Sequence, residues 1–127
     1  MSLQFEVRSL IDVVRMCSIK PSKEFISGQD ELIEAIYLGI PLKPILVEKS
    51  VTKWTLLTGH DRMQIVCNFY YNIFMIKHVQ IYKNLEHQCF ATIKNTKFSN
   101  SSITCYFLPR LSKQNKPIFI NAFERWG

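Results

Sequence analysis

The spacing of apolar residues predicts a short helix near the start of the chain, followed by a loop. Leu10, Val13 and Val14 recur at helical intervals, so we expect a helix over Ser9 to Met16. The segment before it, Gln4 to Arg8, is polar and is assigned to no element. Residues 17–25 contain a proline and are expected to form a loop.

A second helix is predicted from Ser27 to about Leu38. Ser27 is the expected N-cap, because Asp30 and Glu31 follow in the first turn, where carboxylates suit the positive end of a helix. The apolar residues of this segment form one stripe, made by Leu32, Ile33, Ile36 and Tyr37. Gly39 and the two prolines after it end the helix.

Two short apolar segments then predict a pair of adjacent strands that leads into a buried helix. The strands cover Ile45 to Glu48 and Lys53 to Thr58, with a polar turn between them. Gly59 ends the second strand. From His60 to about Ile76 the chain is apolar on nearly every side, which is typical of a helix at the centre of a domain.

In the last third of the chain, the spacing of apolar residues changes to the period of strands. Strands are predicted in four segments divided by polar stretches: Val79 to Tyr82, Gln88 to Lys94, Ile103 to Leu108 and Pro117 to Asn121. An antiparallel extension of the sheet is the natural interpretation. Because helices and strands are partly mixed and partly segregated, the expected fold class is α+β, with a small mixed sheet and a central buried helix.

The composition is that of one folded domain spanning residues 1–127. The 47% of hydrophobic residues suffices for a core, and the length leaves little room for a second one. No apolar run is long enough to span a membrane, and the polar start lacks the apolar region of a secretory signal, so a cytoplasmic protein is expected. The end at Trp126-Gly127 is compatible with a natural end or with a piece of a longer protein.

The net charge and the cysteines exclude few classes of function. The net charge of +6 favours anionic partners, although a modest positive charge also serves solubility alone. The four cysteines are widely spaced, without the pairs that zinc sites need, and are interpreted as core residues: Cys17, Cys67, Cys89 and Cys105. The oligomeric state is not indicated.

The segment Thr58-Gly59-His60-Asp61-Arg62 is the best candidate for chemistry. A glycine between a strand and a helix permits a tight turn, and the first helical N–H groups attract anions. Arg62 can present a fork of donors to a phosphate, His60 can donate a hydrogen bond or accept a proton, and Asp61 can hold a hydrated Mg²⁺ or orient a water. A purely structural interpretation also fits, in which Asp61 complements the helix dipole and Arg62 is solvated.

The segments Ile40 to Val47 and Trp54 to Met63 resemble the ParB/sulfiredoxin-like superfamily, and within it the amino-terminal domains of GmrSD-type restriction endonucleases. Those domains show a G-I-P-x-P-like step, a strand, and a second strand running into D-G-Q-Q-R at a helix start. The order and spacing match from about Asp30 to Phe74. The resemblance implies a compact α+β fold in which Gly59 and Arg62 bind a nucleotide phosphate, with Mg²⁺ and a nucleoside triphosphate as the cofactors.

The chain also departs from these relatives. Thr58 stands where they usually have an acid, and His60-Asp61 replaces the paired glutamines, which puts hydrolytic chemistry in doubt. Sulfiredoxin-like activity would need a cysteine where Gly59 lies. The relatives carry an upstream basic segment, and the equivalent here is residues 20–25, in which Lys20 or Lys23 is a candidate phosphate contact or a solvated lysine.

Three functions therefore stay open at this point. The first is a nucleotide- or nucleic-acid-phosphate-binding domain with His60 and Asp61 as catalytic candidates, and the second is a relative that has lost turnover and regulates or binds. The third is a nucleic-acid-binding domain that uses a basic face with interleaved aromatic residues, formed by Lys94, Lys97, Phe98, Tyr106, Phe107, Arg110, Lys113 and Lys116. The same lysines can instead protect the edge of a sheet.

Overall fold

The computed structural model of the protein describes residues 4–24, 26–71, 101–108 and 113–126. Strands and helices alternate irregularly along the chain. Their order is β1 (Gln4–Ser9), α1 (Leu10–Met16), α2 (Gln29–Leu38), β2 (Ile45–Lys49), β3 (Trp54–Thr58), α3 (His60–Tyr70), β4 (Ser102–Leu108) and α4 (Lys116–Trp126).

The described strands form one mixed sheet in the order β1-β4-β2-β3. β1 runs antiparallel to β4, with Val7 opposite Thr104, and β2 runs antiparallel to β3. β4 and β2 are parallel, with Ile45 beside Cys105. The prediction of an α+β domain with a small mixed sheet is confirmed, as are the strands β2 and β3.

Successive residues of β2 serve two hydrophobic clusters, one on each face of the sheet. Ile45 and Val47 belong to the larger cluster, which also contains buried residues of α1, α2 and α3. Leu46, between them, belongs to the smaller cluster with Phe123 of α4. Because side chains alternate across a strand, three helices cover one face of the sheet and α4 covers the other.

Helix α3 lies in the larger cluster and positions the candidate site. Its fully buried residues include Met63, Val66 and Phe69, and it contacts both α1 and α2. His60 and Asp61 at its first turn are exposed. The prediction of a central buried helix after the strand-to-helix turn is therefore confirmed over His60–Tyr70, and residues 72–76 lie outside the described part of the chain.

The predicted strand over Pro117 to Asn121 is wrong, because these residues belong to helix α4. The run Ile118 to Ile120 has strand-like composition, but Phe119 and Phe123 lie four residues apart and pack together against the sheet. Pro117 is tolerated because it lies in the first turn, where a backbone N–H has no helical partner.

Three further expectations need correction. Gln4 to Arg8, assigned to no element, forms most of β1. Ser27 is not the N-cap of α2, because Gly28 takes that position with a left-handed φ of 81°. The segment Ile103 to Leu108 is a strand as predicted, but it does not extend one edge of the sheet in antiparallel orientation. It lies between β1 and β2, antiparallel to β1 and parallel to β2. Long-range pairing of this kind leaves no local signal.

The predicted strands Val79 to Tyr82 and Gln88 to Lys94 lie outside the described residues. Within the described ranges, none of the helices combines the length and the apolar composition that crossing a bilayer requires.

Candidate functional site

The strand-to-helix turn is built around Gly59. Its φ of 91° lies in the left-handed region, and a Cβ at this position would meet Ile45 Cγ2 at 2.6 Å and Arg62 Nη2 at 2.9 Å. A side chain therefore fits neither the backbone conformation nor the space. Gly59 is also the N-cap of α3 and supplies no side-chain cap, so the helix start is left to other partners.

Arg62 ties this turn to the segment that precedes β2. Its Nη1 donates to the Lys43 carbonyl at 2.7 Å, and its Nη2 donates to the Pro44 carbonyl at 3.2 Å. The guanidinium is about half-buried, and burial lowers its pKa. The fork that the sequence suggests for a phosphate is thus engaged with backbone carbonyls, and Arg62 positions the turn.

A polar depression of about 330 Å³ opens beside the first turn of α3. Residues from three parts of the chain border it: the loop before α2, the residues next to the start of α2, and the exposed side of α3. They are Ser22, Glu24, Ile26, Ser27, His60, Asp61 and Gln64. Hydroxyl, imidazole, amide and carboxylate groups therefore share one opening, and the two catalytic candidates His60 and Asp61 are among them.

Helix α3 holds the upstream loop in place through two amide side chains. Asn68, which is buried, accepts from the Ser22 N–H at 2.9 Å and donates to the Ser22 carbonyl at 2.8 Å. Gln64 donates to the Lys20 carbonyl at 2.6 Å and to Asn68 Oδ1 at 3.0 Å. Sequence reasoning missed both residues, because an amide within an apolar helix gives no sign of its distant partner.

The start of α3 lines the depression and the start of α2 follows directly on the lining residue Ser27, and both starts are led by glycine. Gly28 before α2 and Gly59 before α3 adopt left-handed conformations, and neither start has a side-chain cap. The first N–H groups of a helix have no partner within it and carry partial positive charge. Asp61 in the first turn of α3 offsets part of that charge, as do the acidic residues at the start of α2.

The remaining predicted site residues lie at different depths. Lys23 is exposed between Ser22 and Glu24, so its backbone lies at the edge of the depression. Thr58 is buried, and its Oγ1 has no hydrogen-bond partner among the described residues. The structure therefore brings His60, Asp61 and the Lys23 segment together, while Thr58 lies inside the protein.

The basic aromatic face proposed for nucleic acid is not assembled by its described members. Phe107 is buried edge-on against Trp54, and Tyr106 packs on Phe123. Lys116 forms an ion pair with Glu48 at 3.2 Å. Of the other members, Lys113 is exposed, and four lie outside the described residues: Lys94, Lys97, Phe98 and Arg110.

The described cysteines are free thiols without the features of nucleophiles. Burial raises the pKa of Cys17 to about 11 and that of Cys105 to about 12, and it also raises the pKa of Cys67. Cys67 and Cys105 are buried, as predicted for core residues. The described residues contain no group of three or more histidine, cysteine or acidic side chains that could hold a metal ion by themselves.

Family models, curated proteins and solved structures each gave no match to this chain.

Proposed function

We propose that this chain is a phosphate-binding domain of the ParB/sulfiredoxin-like type that takes a nucleotide, with its phosphates in the depression beside α3. One observation carries the proposal: the uncapped, glycine-led start of α3 borders a polar opening, and the uncapped start of α2 follows directly on Ser27, which lines the same opening. Helix starts of this kind suit phosphate oxygens, which accept from backbone N–H groups and are attracted by the helix dipole. Ser22, Ser27 and His60 supply further donors around the same volume.

The carboxylates in the depression favour a magnesium complex over a free phosphate. Glu24 and Asp61 both border the opening, where they would repel an uncompensated anion. Mg²⁺ is commonly held by one or two carboxylates together with phosphate oxygens and waters, so it needs no group of three protein ligands. These two residues would hold the ion, which would neutralise charge on the nucleotide. Such a ligand agrees with the cytoplasmic location that the sequence leads us to expect.

Binding without turnover is the form of the proposal that the geometry favours. A general base is normally oriented by a third group, and no described side chain donates to or accepts from the His60 imidazole. Arg62, which would stabilise charge on a transferred phosphoryl group, is engaged with the carbonyls of Lys43 and Pro44. We therefore assign His60 and Asp61 to ligand contact.

The test is the melting temperature of the protein with Mg²⁺ and a panel of ATP, GTP and deoxynucleotides. A ligand that binds only the folded state raises the melting temperature by mass action. We expect a rise in the parent that Lys23→Glu or His60→Ala reduces. Lys53→Glu is the matched control, because Lys53 is also exposed but lies in the turn at the opposite end of β3.

Three results would argue against this function. A parent without any shift would reject the nucleotide site, and a shift that survives Lys23→Glu and His60→Ala would place the ligand elsewhere. Magnesium-dependent phosphate release by the parent would replace binding by hydrolysis. The alternative of a nucleic-acid module predicts DNA affinity that falls steeply with salt and is unaffected by these two variants.

A further inference from the structure

Strand β1 lies at the edge of the described sheet and exposes apolar side chains. Among the described strands it pairs only with β4. Phe5 and Val7 lie on one face of it, and each is 61% exposed. Exposed edges with apolar residues are surfaces onto which another strand can add.

The hydrogen-bond pattern shows which backbone groups of β1 face away from β4. The Leu10 N–H donates to the Ser101 carbonyl at 3.1 Å, and this pair continues the register in which Ser9 lies opposite Ser102. Because bonded residues alternate along an antiparallel pair, Arg8 and Glu6 also bond toward β4. The N–H and C=O groups of Phe5 and Val7 therefore point to the outer edge, as does the N–H of Ser9, whose C=O accepts the first bond of α1 as its N-cap.

The sequence of β1 is complementary to itself when two copies run antiparallel. With a two-fold axis through Val7, the two Val7 residues exchange N–H···O bonds, and Glu6 of each copy lies opposite Arg8 of the other. These charged residues form the non-bonded pairs of the new ladder, in which opposing side chains approach most closely. Phe5 and Val7 of both copies then lie together on one face.

We propose that β1 is a dimerisation edge through which two copies of this chain join their sheets. Charge complementarity supports this assembly. Glu6 and Arg8 form an ion pair within one chain at 2.6 Å, and each remains about 40% exposed, so both can still contact a second copy. A carboxylate accepts several bonds, so each Glu6 can also receive the facing arginine. A six-residue strand buries less surface than a typical stable interface, so the dimer dissociates on dilution.

Sedimentation velocity over a wide range of protein concentration tests this assembly. The parent should show a reversible monomer–dimer equilibrium. Glu6→Arg and Arg8→Glu each replace two opposite-charge pairs by like-charge pairs, so each should raise the dissociation constant about tenfold or more. Mixing the two variants restores both opposite-charge pairs and should give a mixed dimer about as tight as that of the parent.

A backbone variant separates this interface from a loss of folding. Val7→Pro removes an N–H that points to the outer edge and leaves the bonds to β4 in place, so it should abolish the dimer while the monomer retains its circular dichroism. A parent that stays monomeric at every concentration would overturn the proposal. A dimer that persists in Val7→Pro, or single charge variants that do not pair on mixing, would overturn it as well.

Discussion

In the described part of the chain, two strands run directly into helices, and the two junctions are built in opposite ways. Where β1 meets α1, Ser9 is the N-cap, and its Oγ accepts from the Asp12 N–H at 3.2 Å. Where β3 meets α3, Gly59 takes the same position without any side-chain cap. The first junction satisfies its own backbone, whereas the second leaves its N–H groups to the adjoining depression.

The second junction holds its turn without a side chain that occupies the helix start. At the first junction one side chain both caps the helix and fixes the turn. At the second junction the turn is fixed by two other contacts. Gly59 packs against Ile45, and Arg62 donates hydrogen bonds to the segment before β2. The second junction should therefore be more sensitive to changes in its surroundings, while its helix start stays accessible.

The largest effect is expected from Gly59→Ala. The new Cβ meets Ile45 at 2.6 Å and the backbone is left-handed, so the free energy of unfolding should fall by about 3 kcal/mol. Urea denaturation measures the change. Gly39→Ala is the matched control, since Gly39 also has a positive φ but no atom lies within 4 Å of its added Cβ, and it should lose about 1 kcal/mol. Equal losses in both variants would show that packing at Gly59 is unimportant.

Arg62→Ala should have an intermediate effect of about 2 kcal/mol, because two charge-assisted bonds to backbone carbonyls are lost. Arg62→Lys keeps the charge and can reach one carbonyl, so it should recover part of that stability. The same urea titrations compare the three proteins. If Arg62→Ala unfolds at the parent's urea midpoint, the guanidinium does not anchor the turn.

Ser9→Ala should have the smallest effect, a loss of about 1 kcal/mol, because it removes one capping bond from a short helix. Ser9→Asp retains an acceptor at the N-cap and should stay close to the parent. Thermal unfolding of the parent, Ser9→Ala and Ser9→Asp measures the order of their stabilities. If Ser9→Ala lost more stability than Gly59→Ala, the first junction would be the more sensitive of the two, contrary to our expectation.

The local parts of this fold could be predicted from the sequence, and the long-range parts could not. The strand pair before Gly59 and the helix after it follow from period and turn residues alone. β1 escaped prediction because its apolar residues Phe5 and Val7 face outward while Glu6 and Arg8 lie toward the face that carries Trp54. Helix α4 was mistaken for a strand because tertiary packing outweighed the β-branched composition of its first turns.

The candidate site divides in the same way. The turn at Gly59 could be located from its setting between a strand and a helix. The backbone partners of Arg62, Gln64 and Asn68 could not, because they lie between 18 and 46 positions away along the chain. The resemblance to ParB/sulfiredoxin-like domains stays a prediction.

The position of β4 has a consequence for the order in which the chain can fold during synthesis. The hairpin of β2 and β3 is local and can close soon after it leaves the ribosome, but Gln4 of β1 lies opposite Phe107. Among the described strands, β1 therefore waits for a partner made about a hundred residues later, and the same strand, β4, completes the pairing of β2. Before Ser102–Leu108 is made, a nascent chain thus lacks the described strand that joins β1 to the β2–β3 hairpin, and its incompletely paired strands favour aggregation.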